Sequence, residues 1–185
     1  MASDARSRMI AGAARLLAER GLQATSFSTV LAATGAPRGS IYHHFPGGKD
    51  ELVAAALDAT ERHAVALLDL PPDTTPSQVA ESFLGAWRAL LIATDFQVGC
   101  ALVAVAVAAD TEALRDRAAA AFRTWRGALA AALGRAGLAP EQADSLAALL
   151  LAASEGAVVM SRAARDLAPF ETVAASLLAQ VDALG

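Results

Sequence analysis

The chain is 185 residues long, 55% hydrophobic but only 5% aromatic, which suits one domain or a small domain joined to a larger one. Its single cysteine, Cys100, excludes an internal disulfide, and its longest apolar runs, 101–109 and 146–153, fall short of the roughly 20 residues a bilayer demands and are expected as buried core helices. The formal net charge of −4 divides into six basic against three acidic residues in 1–50 (+3) and nine against sixteen in 51–185 (−7), so an anionic partner is expected for the N-terminal third alone.

The N-terminus has charges on both sides of a short amphipathic run and lacks the long apolar core of a signal peptide. Ser3 or Asp4 can cap a first helix, in which Ile10, Ala13, Ala14 and Leu17 recur at helical spacing and which Gly21 stops. A second helix starts at Thr25-Ser26, whose hydroxyls can satisfy free N–H groups, and ends at Gly35. The third is expected from Pro37, whose fixed φ suits a first helical position, to near Phe45, ahead of Pro46-Gly47-Gly48. Lys49-Asp50-Glu51 then opens a long helix reaching about Leu68, with acids in its first turn as the helix dipole prefers. After the polar loop at 71–76, five helical segments follow at 77–93, 96–108, 111–136, 140–166 and 169–183. With no strand pattern or repeat, the fold class is all-α: about nine helices, a head of three and a body of six.

Residues 35–52, GAPRGSIYHHFPGGKDEL, hold two prolines, four glycines, the only tyrosine, two of three histidines and the only lysine. Two short helices joined by a tight turn containing glycine, the second rich in polar tips, describe a helix-turn-helix. Val30, Leu31, Ile41 and Leu17 can form its small core, leaving Arg38, Gly39, Ser40, His43 and His44 outside. Arg38 has the reach to pair with guanine in a major groove, and Lys49 beside the free N–H groups of the fourth helix suits a phosphate. A metal pair at His43-His44 is disfavoured, because adjacent helical positions diverge by about 100° and no cysteine or carboxylate supports them. No cofactor is expected.

Residues 25–52 closely resemble the DNA-binding head of the TetR family of bacterial transcriptional repressors, matching it at Gly35, Gly39, Tyr42, His43, His44, Phe45, Lys49 and Leu52. Ala36-Pro37, the extra glycine before Lys49, Gly99-Cys100 and Glu155-Gly156-Ala157 resemble the LmrA/YxaF-type branch of multidrug-efflux regulators. The resemblance implies that Arg38, Ser40 and His43 face bases, with Gly39 allowing close approach. It also implies that Ser26, Thr29, Tyr42, His44 and Lys49 hold phosphates. It implies a DNA-binding domain at 1–48 and an effector-binding and dimerisation domain at 49–185, in a one-component cytoplasmic repressor that no membrane holds.

One head buries little DNA surface, so a homodimer reading two half-sites of a double-stranded, pseudo-palindromic operator is expected. The last two helices are the expected seam, through Leu149, Gly156, Phe170, Val173, Leu177 and Val181. The resemblance places a pocket for a small apolar or aromatic effector among helices 4–8. Its candidate lining is Phe83, Trp87, Phe96, Cys100, Phe122, Trp125 and Met160, with Arg88 or Asp95 as a polar anchor. Two alternatives are a ligand-independent regulator or activator and, more remotely, a helical-bundle enzyme. The chain carries no zinc-protease motif, phosphate-binding glycine loop or nucleophile elbow to support the latter.

Overall fold

The computed structural model describes residues 2–184, with nine α-helices and no strand among them. The helices are α1 (Ala2–Ala24), α2 (Phe27–Thr34), α3 (Arg38–His44), α4 (Lys49–Ala66), α5 (Pro76–Ala93), α6 (Ala101–Ala108), α7 (Glu112–Arg135), α8 (Pro140–Ala164) and α9 (Ala168–Asp182). They form two compact units, one of residues up to Arg62 together with Cys100–Phe122, the other of His63–Gly99 together with the chain from Arg123 onward.

In the first unit, α1 packs against α2, α3 and α6. Met9, Ala13 and Leu17 of α1 are fully buried, as are Val30, Ile41, Phe45, Leu57 and Leu102. Gly12 lets α2 lie close, because a Cβ there would collide with the Thr34 methyl. The helix starts ahead of the expected cap: Asp4 sits in its first turn, 3.6 Å from Arg8, and the Ser3 side chain lies outside the described residues. Gly21 interrupts α1 with φ 81° and ψ 178°, and one further turn carries it to Ala24.

Two other boundaries differ from the sequence expectation. Pro37 is the residue before α3 rather than its first, because its ψ of 135° is extended. The α6 helix starts at Ala101 rather than 96, because Asp95 and Phe96 take positive φ angles of 47° and 59°. The intervening segment is held from α8: Arg162 donates to the carbonyls of Phe96 and Gln97, and Arg165 pairs with Asp95 at 2.6 Å. Leu102 and Val105 of α6 are buried as expected, but Val107 is 80% exposed.

In the second unit, α5, α8 and α9 pack on one another. Thr75 and Gln78 close a reciprocal capping box before α5, with Pro76 in the first turn, where its missing N–H costs nothing. The α5 and α9 helices run antiparallel and are pinned near both ends. Ser77 donates to Asp182 at 2.5 Å, and Arg88 forks onto the Glu171 carboxylate while lying over the Phe170 ring. The α8–α9 junction is tied by the Phe170 N–H donating to the Ser161 hydroxyl at 3.0 Å. By length and composition α8 could cross a membrane, but half of its apolar window is buried inside the protein.

Candidate nucleic-acid interface

Helices of eight and seven residues are too short to hold themselves, so α2 and α3 depend on their ends and on the core beneath them. Ser26 and Thr29 close the start of α2 reciprocally. The Thr29 N–H donates to Ser26 Oγ at 3.2 Å, and the Ser26 N–H donates to Thr29 Oγ1 at 2.8 Å. Gly35 ends the helix in the left-handed region, φ 64°, with its N–H donating to the Leu31 carbonyl; a side chain there would be strained. Ile41 and Phe45 anchor α3 inward with no exposed surface.

That anchoring turns Arg38, Gly39, Tyr42 and His43 out to solvent, with Ser40 and His44 half-buried beside them. Tyr42 is 64% exposed, yet its ring meets Phe27 edge-on at 5.4 Å, so the ring is positioned while the hydroxyl stays outside. His43 and His44 lie 5.3 Å apart between ring centroids, and no group able to hold a metal ion occurs among the described residues. Lys49 has a second role that its spacing did not reveal. Its ammonium donates to the Leu22 carbonyl at 2.8 Å, tying the start of α4 to the end of α1. Beside it, the Gly47 N–H donates to the Glu51 carboxylate at 2.8 Å, and Arg6 lies over the Phe45 ring.

The candidate effector residues are only partly brought together. Phe83, Trp87 and Trp125 form a buried aromatic cluster in the second unit, with Trp125 5.8 Å from Phe83 and 6.1 Å from Trp87. Phe96 is half-buried in the 95–99 segment, whereas Met160 is 49% exposed on α8. Cys100 and Phe122 are half-buried in the first unit, Cys100 as the residue preceding α6. Both suggested polar anchors already have protein partners, Arg88 in Glu171 and Asp95 in Arg165. The hydrogen bond from Arg88 holds the Glu171 carboxyl below its ordinary range, and the same bond raises the Arg88 guanidinium.

The expected seam divides in the same way. Phe170, Leu177 and Val181 are buried in the protomer's own core and Val173 is half-buried, because this stripe of α9 faces α5 and α8. The outward surface of α8 instead carries Leu149, Gly156, Val159 and Met160. Sequence reasoning also missed Gly12, Arg162 and Arg117. Arg117 joins α7 to Asp58 at 2.5 Å and Glu61 at 2.6 Å on α4. The acidic pair one turn apart on α4 was the available signal, but it names no partner.

A capped two-helix unit whose second helix turns its polar residues outward on a basic head defines a helix-turn-helix DNA-binding regulator. Residues 9–56 match the family described as bacterial regulatory proteins, tetR family, and residues 76–176 match the transcriptional regulator LmrA/YxaF-like C-terminal domain. The chain belongs to the TetR family of bacterial transcriptional regulators, with an LmrA/YxaF-like C-terminal domain, and is not an enzyme. An uncharacterized HTH-type transcriptional regulator of Mycobacterium tuberculosis is 38% identical over 175 residues, spanning 91% of this chain and 89% of the relative. The HTH-type transcriptional regulator LmrA of Bacillus subtilis is 25% identical over 170 residues, covering 90% of each chain. Among solved structures, the regulatory protein TetR from Rhodobacter sphaeroides shares the fold at a TM-score of 0.84, with 21% identity over 94% of this chain and 97% of that one. A TetR transcriptional regulator from Chloroflexus aurantiacus is 28% identical with a TM-score of 0.76, over 98% and 96% of the two chains.

Proposed function

We propose that the protein is a one-component cytoplasmic repressor that binds a pseudo-palindromic operator as a homodimer and leaves it when a small apolar or aromatic effector binds. The observation that carries this reading is the exposed Arg38, Gly39, Ser40 and His43 face of α3 on a head of net charge +3. Residues 1–48 read DNA and residues 49–185 bind effector and partner. Arg38, Ser40 and His43 meet base edges, while Ser26, Thr29, Tyr42, His44 and Lys49 meet phosphates. The reciprocal cap between Ser26 and Thr29 supports such a contact by holding both hydroxyls at a helix N-terminus. The partner surface is the outward face of α8, around Leu149 and Gly156.

The effector class follows from the cluster of Phe83, Trp87 and Trp125, whose rings favour a flat apolar ligand. Release near completion requires the ligand to prefer the non-binding state by about 10⁴-fold, enough to reverse a 99:1 population. Regulation of a multidrug-efflux gene fits such a ligand. Trp87 and Trp125 are the only tryptophans, so their fluorescence reports on this cluster directly. Titrating the operator complex with planar aromatic compounds should quench that fluorescence and release DNA over the same concentration range. Release without a tryptophan response would place the pocket elsewhere, and a failure of every such compound to release DNA would favour the ligand-independent alternative.

A further inference from the structure

In the first unit, α4 and α7 are linked side by side by three polar contacts. Near the start of α4, Asp50 accepts a hydrogen bond from the Thr111 hydroxyl, just ahead of α7, at 3.0 Å. Two turns further on, the Arg117 guanidinium forks between Asp58 and Glu61, with Nε 2.5 Å from the first and Nη2 2.6 Å from the second. Arg117 and Glu61 are largely shielded from solvent, so this network is screened less than the exposed Asp4–Arg8 pair on α1. Removing the guanidinium would leave two facing carboxylates, a further reason for the link to hold in both states of the protein.

The α7 helix is one 24-residue helix, Glu112–Arg135. Its residues up to Phe122 belong to the first unit, and those from Arg123, including Trp125, belong to the second. Arg117, Ala121 and Trp125 follow one another at four-residue steps along one ridge, so a turn of α7 at Trp125 is also a turn at Arg117. The α4 helix that receives Arg117 begins at Lys49, which is hydrogen-bonded to the end of α1.

We infer that Arg117 is a positioning residue for the switch: it passes the displacement of α7 caused by effector at Trp125 to α4, and so to the operator-reading head. Like the effector itself, this role rests on the proposed repressor function. Arg117 touches neither DNA nor effector, and its loss therefore uncouples two binding events that each survive. Coupling of this kind is a ratio of operator affinities with and without effector.

The test compares the full-length parent with Arg117→Gln and with the double variant Asp58→Asn/Glu61→Gln, on a duplex selected by the parent from a randomised pool. The probe is an aromatic compound that both quenches parental tryptophan fluorescence and releases that duplex. The two variants break the same link but change net charge in opposite directions, so a general electrostatic effect on DNA affinity would separate them. Both are expected to bind the duplex, to show the parental fluorescence titration and to lose most of the release. A parental affinity ratio of about a hundredfold should fall to about threefold or less in both, against a usual coupling range of roughly 5–150-fold. Parental release in either variant overturns the role of the link, and so does loss of duplex binding or of the fluorescence response. A parent that binds duplex but meets no releasing compound defeats the effector reading itself, a result recognisable before any variant is made.

Discussion

The helix-turn-helix and the α5–α8–α9 cluster solve the same packing problem in opposite ways. In the former, two helices of eight and seven residues are kept by a reciprocal cap, a left-handed glycine and a few buried side chains such as Ile41 and Phe45. In the latter, helices of 18, 25 and 15 residues bury long stripes and are pinned by side chains far apart in sequence, Arg88 to Glu171 and Ser77 to Asp182. A short helix that needs only one or two inward anchors is free to present nearly all its other positions to DNA. A long helix with a wide apolar stripe presents its function only on whatever face its neighbours leave uncovered.

The largest test of that contrast is a charge placed on either side of it. Leu177 is 3% exposed, so Leu177→Asp should bury an unpaired carboxylate and cost about 3–5 kcal/mol, unfolding the second unit. Leu149 is 40% exposed, and Leu149→Asp should leave the thermal transition near the parent's while sedimentation shows monomers. Equal thermal destabilisation by both would mean that the covered and uncovered faces are misassigned.

In the head, removal of an exposed tip should cost binding rather than folding. Arg38→Ala should weaken the selected operator by roughly 1–3 kcal/mol and blur one or two base positions, with an unchanged melting temperature. An Arg38→Ala protein that bound every duplex as well as the parent would remove the base-reading role.

The cap should behave in the opposite sense, because it works on the fold first. Ser26→Ala breaks the reciprocal bonds with Thr29 and should lower stability by about 1 kcal/mol, within the usual range for a lost N-cap. Thermal unfolding without DNA measures this term free of any phosphate contact, and an unaltered transition would show that the cap holds nothing.

The smallest effect concerns the pinning of α5 to α9. The carboxyl of Glu171 is held below its ordinary range by Arg88, so its contribution is present above the unfolded-state value and fades as pH falls through the lower folded-state value. In Glu171→Gln the drop in melting temperature between neutral and strongly acid pH should therefore be slightly smaller than in the parent. The side chain is partly exposed, which keeps the expected difference modest. A larger acid drop in the variant would reverse the assigned direction.

By itself, the sequence determined what is local. The all-α class, most helix ends within a residue or two, the cap at Ser26, the turn at Gly35 and the outward set on α3 follow from spacing, capping hydroxyls and turn glycines, interactions that close within a few residues. Only the tertiary structure decided which stripe meets which neighbour. It turned Phe170, Leu177 and Val181 into protomer core, sent Met160 outward, engaged Arg88 and Asp95 with protein partners, and delayed α6 to Ala101 by means of arginines more than sixty residues away. The physical reason is the range of the forces involved. Hydrogen-bonded caps and backbone sterics are read from adjacent residues, whereas an apolar stripe or an acidic pair names only the kind of partner it needs, and the fold supplies the particular one.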